Sequence, residues 1–343
     1  MTQLFEQAKK HDLNHVYIAG DVFDARKNQS LDMLMVWQSI IDNAQFQGVE
    51  IRCIAGNHDK KDYTSHSSYL TPFAGQHLFT LKNCADYFQI SKDTLIWVIP
   101  YFDEKSEYSK QLEGAIRQID NGPSKYKHIL ITHIAVDGVK NNDGSVVTGG
   151  IASEMFDKFD LVLVGHYHDR SQIGDKIHYI GSIAQNNYGE SQKKGFCVIY
   201  KDMSIKYIQS DFKKYETVNI NMDTLKPAQM KKLKKEYGGV DHNVKFKISG
   251  SKEKIQALDK TDFDAIGISI SVEYKDVSVE MDYSQAENFE GFDRGEILEE
   301  WNEFADKEEE IDKSEGKALL QNCLLYTSPS PRDATLSRMP SSA

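Results

Sequence analysis

The sequence has little with which to cross a membrane, build a disulfide scaffold or coat a polyanion. Its longest apolar runs, Leu95–Tyr101 and Leu161–Val164, fall far short of the ~20 residues that a bilayer span needs, and the mean hydropathy is −0.54. No charged-then-apolar leader precedes a small-residue cleavage site, so secretion is not expected. The four cysteines, Cys53, Cys84, Cys197 and Cys323, show neither metal-binding nor redox spacing. A reducing cytosol suits them better than an oxidising compartment. Forty-one Lys and Arg against 52 Asp and Glu leave a net charge of −11. Bulk electrostatic binding of nucleic acid is thereby disfavoured, although a local basic groove is not.

What is present is an ordinary globular balance, 40% hydrophobic and 27% charged over 343 residues, enough for two or three domains. Residues 1–210 alternate helical stretches with short β-branched runs. Met1–His11 and Leu31–Phe46 read as amphipathic helices. His15–Ala19, Val49–Ala55, Ile129–Thr132 and Leu161–Val164 read as strands buried on both faces. Two hairpins are expected, Tyr87–Ile90 with Leu95–Ile99 and Phe196–Tyr200 with Ile205–Ile208. From about Asp211 the texture changes to a small α+β domain over 211–281, with a basic helix at Lys226–Tyr237 and strands at Val244–Ile248 and Ile266–Val272 around a helix at Glu253–Leu258. An acidic linker and helix follow over 282–323. Within it Ile297, Leu298, Trp301 and Phe304 form a narrow apolar stripe on Gly295–Ile311, suited to packing on its own domain or to docking a partner. The Ser/Pro-rich tail, 324–343, has no periodicity and reads as non-native.

The informative pattern lies at the ends of four strands. His15–Ala19 runs into Gly20-Asp21-Val22-Phe23-Asp24, and Ile51–Ala55 into Gly56-Asn57-His58-Asp59. His128–Thr132 runs into His133, and Leu161–Val164 into Gly165-His166-Tyr167-His168-Asp169. Sites in α/β sheets form beyond the carboxyl ends of strands, so these clusters are expected to converge. Asp, Asn and His together suit divalent ions such as Mn, Fe or Zn, and no thiol is placed to compete. His166 and His168, two apart at a strand end, can project to one side. A carboxylate such as Asp21 can bridge two ions about 3.5–4 Å apart, the spacing that clamps a phosphoryl group and activates water. Taken singly, each motif is ambiguous: Gly-Asp is also a turn or N-cap, Asn-His-Asp an Asx-turn loop, and His133 a satisfied core histidine. The ordered set is what argues for a site.

That set resembles the calcineurin-like metallophosphoesterase superfamily over residues 15 to about 210. GDVFDARK (20–27), IAGNHD (54–59), the interval from His133 to GHYHD, and YIGSIAQNNYGE followed by KGFCVIY (179–200) resemble in particular the SbcD-type nuclease subunit of DNA repair and recombination complexes, phage versions included. The resemblance implies an α/β fold: a sandwich of two mixed β-sheets flanked by helices over 1–210, then the small α+β domain, which would help to position DNA, and the C-terminal helix. It makes Asp21 a bridging ligand, with Asn57, His133 and His166 completing one metal site and His168 belonging to the other. His58 becomes the general acid or transition-state stabiliser, oriented by Asp59, and Asp24 takes a supporting role near the phosphate. Two divalent ions are implied, Mn first, with Fe, Zn or Mg as alternatives. The implied partners are DNA and an SMC-like coiled-coil ATPase of the SbcC type, docked through 295–311. A homodimer is a further option, and the setting is the cytoplasm of a bacterium or phage-infected cell.

One departure stands out. The family opens with a strand ending in Asp-x-His, which is absent here; His11-Asp12 precedes a strand rather than following one. The expectation is therefore an N-terminally truncated frame with one metal site incomplete. Two rival readings stay open: a general phosphatase or phosphodiesterase acting on phosphoprotein or small molecules, and an inactive scaffold. Metal stoichiometry and activity on DNA against p-nitrophenyl phosphate esters separate the three.

Overall fold

The computed structural model describes residues 1–103, 106–139, 145–237, 243–256 and 269–272. The chain divides into two compact units, Met1–Lys275 and Asp276–Ala343, and the described residues all belong to the first. The acidic helix and the tail expected over 282–343 lie outside them.

Helix α1 (Thr2–Lys10) leads into strand β1 (His15–Ala19), and α2 (Leu31–Gln47) crosses over to β2 (Glu50–Ile54). Ser30 caps α2 by accepting the Met33 N–H, and Gly48 ends it in the left-handed conformation at φ 69°. Trp37, Ile41 and Ala44, at i, i+4 and i+7, are the buried face of α2. They pack with Phe5 and Ala8 of α1 against Val16, Ile51 and Cys53 on the outer face of the sheet. Strand β3 (Phe79–Lys82) completes that sheet in the order β1-β2-β3.

The larger sheet has β4 (Asp86–Gln89), β5 (Thr94–Ile99), β6 (Lys127–His133), β7 (Leu161–Gly165), β8 (Ser171–Ile173) and β9 (Ile177–Tyr179), in the order β4-β5-β6-β7-β9-β8. Two-residue periodicity assigns its faces. Leu95, Trp97, Ile99, Leu130, Val162 and Val164 pack with Tyr108, Leu112 and Ala115 of α3 (Glu107–Asn121). Their alternates Ile96, Val98, Ile129, Ile131, Leu161 and Leu163 meet Ala19 and Ile54 of the other sheet. The result is helices, sheet, sheet, helix, with strands buried on both faces as their apolar runs require.

Both expected hairpins form, β4 with β5 and β10 (Gly195–Ile199) with β11 (Ile205–Gln209). The sheets differ from the expectation in one respect. The six-stranded sheet is mixed, whereas β1-β2-β3 is parallel throughout, because α2 and the long connection before β3 return the chain each time to the same end. The hairpin β10-β11 stands as a separate two-stranded sheet. Strands β12 (Tyr215–Asn221), β13 (Asn243–Ser249) and β14 (Ser269–Val272) form another parallel sheet, with α4 (Pro227–Tyr237) and α5 (Lys252–Gln256) between them in the chain. Val244, Phe246 and Ile248 alternate into its own core with Ile220. Among the described residues no helix is long and apolar enough to cross a membrane.

Candidate metal centre

In register, Ala19 pairs with Ile54 and His133 with Gly165, so the carboxyl ends of β1, β2, β6 and β7 finish in one region. Residues immediately after them converge. Gly20 at φ 84° and Asp21 at φ 52° are consecutive left-handed residues that turn the chain sharply out of β1. A Cβ on Gly56 would overlap the Asp21 carboxylate, so only glycine lets the two loops approach this closely. His166 also has positive φ, 91°. Non-glycine residues held there cost about 1–3 kcal/mol each and cluster at functional sites.

Asp21, His133 and His166 offer donor atoms that all lie within 4.8 Å of one another. His133, 1% exposed, gives its Nδ1–H to the Ala19 carbonyl at 2.7 Å. Its Nε2 therefore faces inward, 3.0 Å from Asn57 Oδ1, 3.2 Å from Asp21 Oδ2 and 3.3 Å from His166 Nδ1. His166 Nδ1 is also 3.1 Å from Asn57 Oδ1, and its ring stacks on Tyr101 at 17° between planes. Burial lowers the proton affinity of His133, but the Asp21 carboxylate and the bonds to Asp21 and Ala19 outweigh it and raise the pKa above its ordinary value. Burial and the neighbouring His133 push His166 down to about 4. Burial works to raise Asp21, yet His133 and the His58 N–H hold it at about 2. One carboxylate oxygen, one amide oxygen and two imidazole nitrogens thus crowd together with few protons to share. A divalent cation fits that donor set, and Mn, Fe and Zn are the ions its chemistry suits.

His58 sits beside this group and outside it. Its backbone N–H donates to Asp21 Oδ1 at 2.9 Å. The ring turns away, Nδ1 meeting the Asp24 carbonyl and Nε2 accepting from Arg26 Nε at 3.0 Å. The expectation that Asp59 orients this ring is not met. Asp59 is wholly buried and uses its oxygens to accept the Phe23 N–H at 3.0 Å and the Gly56 N–H at 2.8 Å. It ties the two ligand loops together instead. Burial, with the nearby Asp21 charge adding, pushes Asp59 up to about 6 against the pull of those N–H bonds. Asp24 contributes to His58 through its main-chain carbonyl. Asp59→Ala leaves two buried N–H groups without that acceptor, at about 1–3 kcal/mol each. A lowered melting temperature in calorimetry, with the variant still folding, is the expected outcome; an unchanged one would mean that the loops are held otherwise.

His168 does not join the group of Asp21, His133 and His166. Strand β7 stops at Gly165 and the chain turns at His166, so strand alternation does not carry through to His168. It lines the same cavity as Asp21, His58, His133 and His166, a space of about 1120 Å³ that continues between the sheets past Tyr17, Ile131 and Leu163. Its Nδ1 contacts Glu190 Oε1 at 2.8 Å. Arg26, Tyr101 and Glu190 also belong to this region but lie in no metal-ligand spacing, so the sequence marks them only through the stretches they sit in, 20–27, 95–101 and 179–190.

Residues 1–170 match the family model of the calcineurin-like phosphoesterases, a stretch that includes every residue from Asp21 to His168. Among solved structures, the chain is similar to a GH5 family lichenase from Caldicellulosiruptor sp. F32 at 12% identity, over 80% of this chain and 74% of that one, with a TM-score of 0.22. A superposition that loose says nothing about fold or activity.

Proposed function

We propose, from the premise that residues 1–170 are a calcineurin-like phosphoesterase domain, that this protein hydrolyses DNA phosphodiester bonds as an SbcD-type nuclease subunit. Metal-dependent phosphoester hydrolysis is the chemistry of that domain. The convergence of Asp21, Asn57, His133 and His166 is the observation that carries the reading. These four would hold one ion, and His168 with Asp21 would serve a second. The chemistry a divalent ion would supply there is Lewis acidity toward a phosphoryl oxygen and a lowered pKa for an attacking water.

The rest is the work of the chain's own residues. Asp59 keeps the Asp21 and Asn57 loops in register. His58 stands at the rim with its Nδ1 on the Asp24 carbonyl, and its Nε2 supplies a proton to the leaving oxygen once protonated. Arg26 covers that nitrogen in the resting protein. An entering phosphate attracts the guanidinium by charge and bidentate geometry, which uncovers His58.

DNA is favoured over a small ester by the exposed lysines Lys226, Lys231, Lys232 and Lys235 on and beside α4, which can contact phosphates despite the acidic whole. With Mn supplied, cleavage of linear duplex or single-stranded DNA is expected, weakening steeply as salt rises. Turnover of p-nitrophenyl phosphate esters with none of DNA would replace the nuclease reading with that of a general phosphoesterase.

A further inference from the structure

Glu190 and Lys194 are the deepest ion pair among the described residues, each side chain 0% exposed, with Oε2 and Nζ 2.9 Å apart. Neither is a metal-ligand candidate, and neither lies within the matched 1–170 stretch. A buried ion pair is weak grounds for stability, since desolvation offsets most of its attraction. Its partners show another use. Glu190 Oε1 faces His168 Nδ1 at 2.8 Å and Asn187 Nδ2 at 3.0 Å, while Oε2 takes Lys194 and the Asn186 N–H at 3.1 Å. Lys194 Nζ donates in turn to the His168 carbonyl at 2.6 Å and to Asp169 Oδ1 at 2.9 Å. His168 is gripped twice, by the carboxylate on its ring and by the ammonium on its backbone.

We propose that the Glu190–Lys194 pair is a positioning device that fixes the His168 ring with its proton on Nδ1 and its Nε2 lone pair turned to the cavity for a metal ion. The inference rests on the reading of His168 as a ligand. An ionised carboxylate only accepts, so the ring nitrogen facing it must carry the hydrogen. The other nitrogen of the neutral ring is then the free donor. Carboxylate-held imidazoles of this kind are more basic ligands with a set orientation, and losing such a partner typically costs about 10–100-fold in metal affinity. Lys194 compensates the buried charge of Glu190 and prevents the carboxylate from swinging away.

The test uses the full chain, metal-stripped and labelled with ¹⁵N-histidine, at one mildly alkaline pH for every variant. In the wild type, His168 is expected as the Nδ1–H tautomer. The charge-free pair Glu190→Leu with Lys194→Met, which fills the same space, should release it to a mixture rich in Nε2–H. Glu190→Gln, which keeps an acceptor oxygen, should largely preserve the wild-type signature. Mn titration of the double variant should show the weaker site falling by about 10–100-fold, with the site of Asp21, Asn57, His133 and His166 unmoved. An Nε2–H ring in the wild type, or an unchanged ring in the double variant, overturns the positioning role. Failure of the underlying reading looks different: the wild type takes up no Mn while its His168 is still the Nδ1–H tautomer, and the metal purpose assigned to the pair falls with it.

Discussion

His58→Ala is expected to lower turnover on DNA by about 10²–10⁴ while leaving Mn uptake unchanged. The split follows from where the two ends of this residue lie. Its backbone N–H supports the Asp21 carboxylate, and alanine keeps that bond. Its ring points to the Asp24 carbonyl and Arg26, away from the atoms that crowd around His133 Nε2. On the proposed reading, removing the ring takes away a proton source for the leaving oxygen and no metal donor. Steady-state rates with saturating Mn, alongside metal content by elemental analysis, check both halves. Loss of metal in this variant would reassign His58 as a ligand.

His166→Ala is expected to have the larger effect, abolishing hydrolysis of every phosphoester tried. His166 contributes one of four donor atoms in a group held by backbone and side-chain contacts: Gly20 and Asp21 in left-handed turns, His133 on the Ala19 carbonyl, and Tyr101 stacked on the imidazole. An alanine leaves three donors and a gap beside Tyr101. At neutral pH His166 is uncharged, since burial and His133 push it down to about 4, so its lone pair is available and is lost outright. Because the reading makes the same ions serve all phosphoesters, DNA and p-nitrophenyl substrates should fail together. A variant that loses only DNA cleavage would place His166 in DNA contact rather than at the metal.

Much of this site was legible along the chain because its residues directly follow strands. Each apolar run marks a strand by composition, and each polar cluster after it marks the strand's carboxyl end. The parallel order β1-β2 and β6-β7 then brings Asp21, Asn57, His133 and His166 together. The helices α1 and α2 and both hairpins are readable from local apolar spacing, and α4 from its basic run with Pro near its start. What escaped depends on contacts with no periodic trace. The family resemblance implies that Asp59 orients the His58 ring, yet its carboxylate turns inward to two backbone N–H groups. Glu190 reaches His168 from 22 residues away in a loop of Gly, Asn and Ser. His168 looked like a neighbour of His166 by strand alternation, but the positive φ at His166 ends that alternation. Backbone reversals of this kind follow from packing across two sheets, which a run of residues does not encode.

The central claim is that Asp21, Asn57, His133 and His166 form a metal centre, and Mn titration of the metal-stripped protein by calorimetry tests it most directly. The account predicts at least one tightly held Mn per chain in the wild type, and none at that site in His166→Ala protein whose fold is intact by circular dichroism. Uptake of the same amount of Mn with the same affinity by both proteins would contradict it.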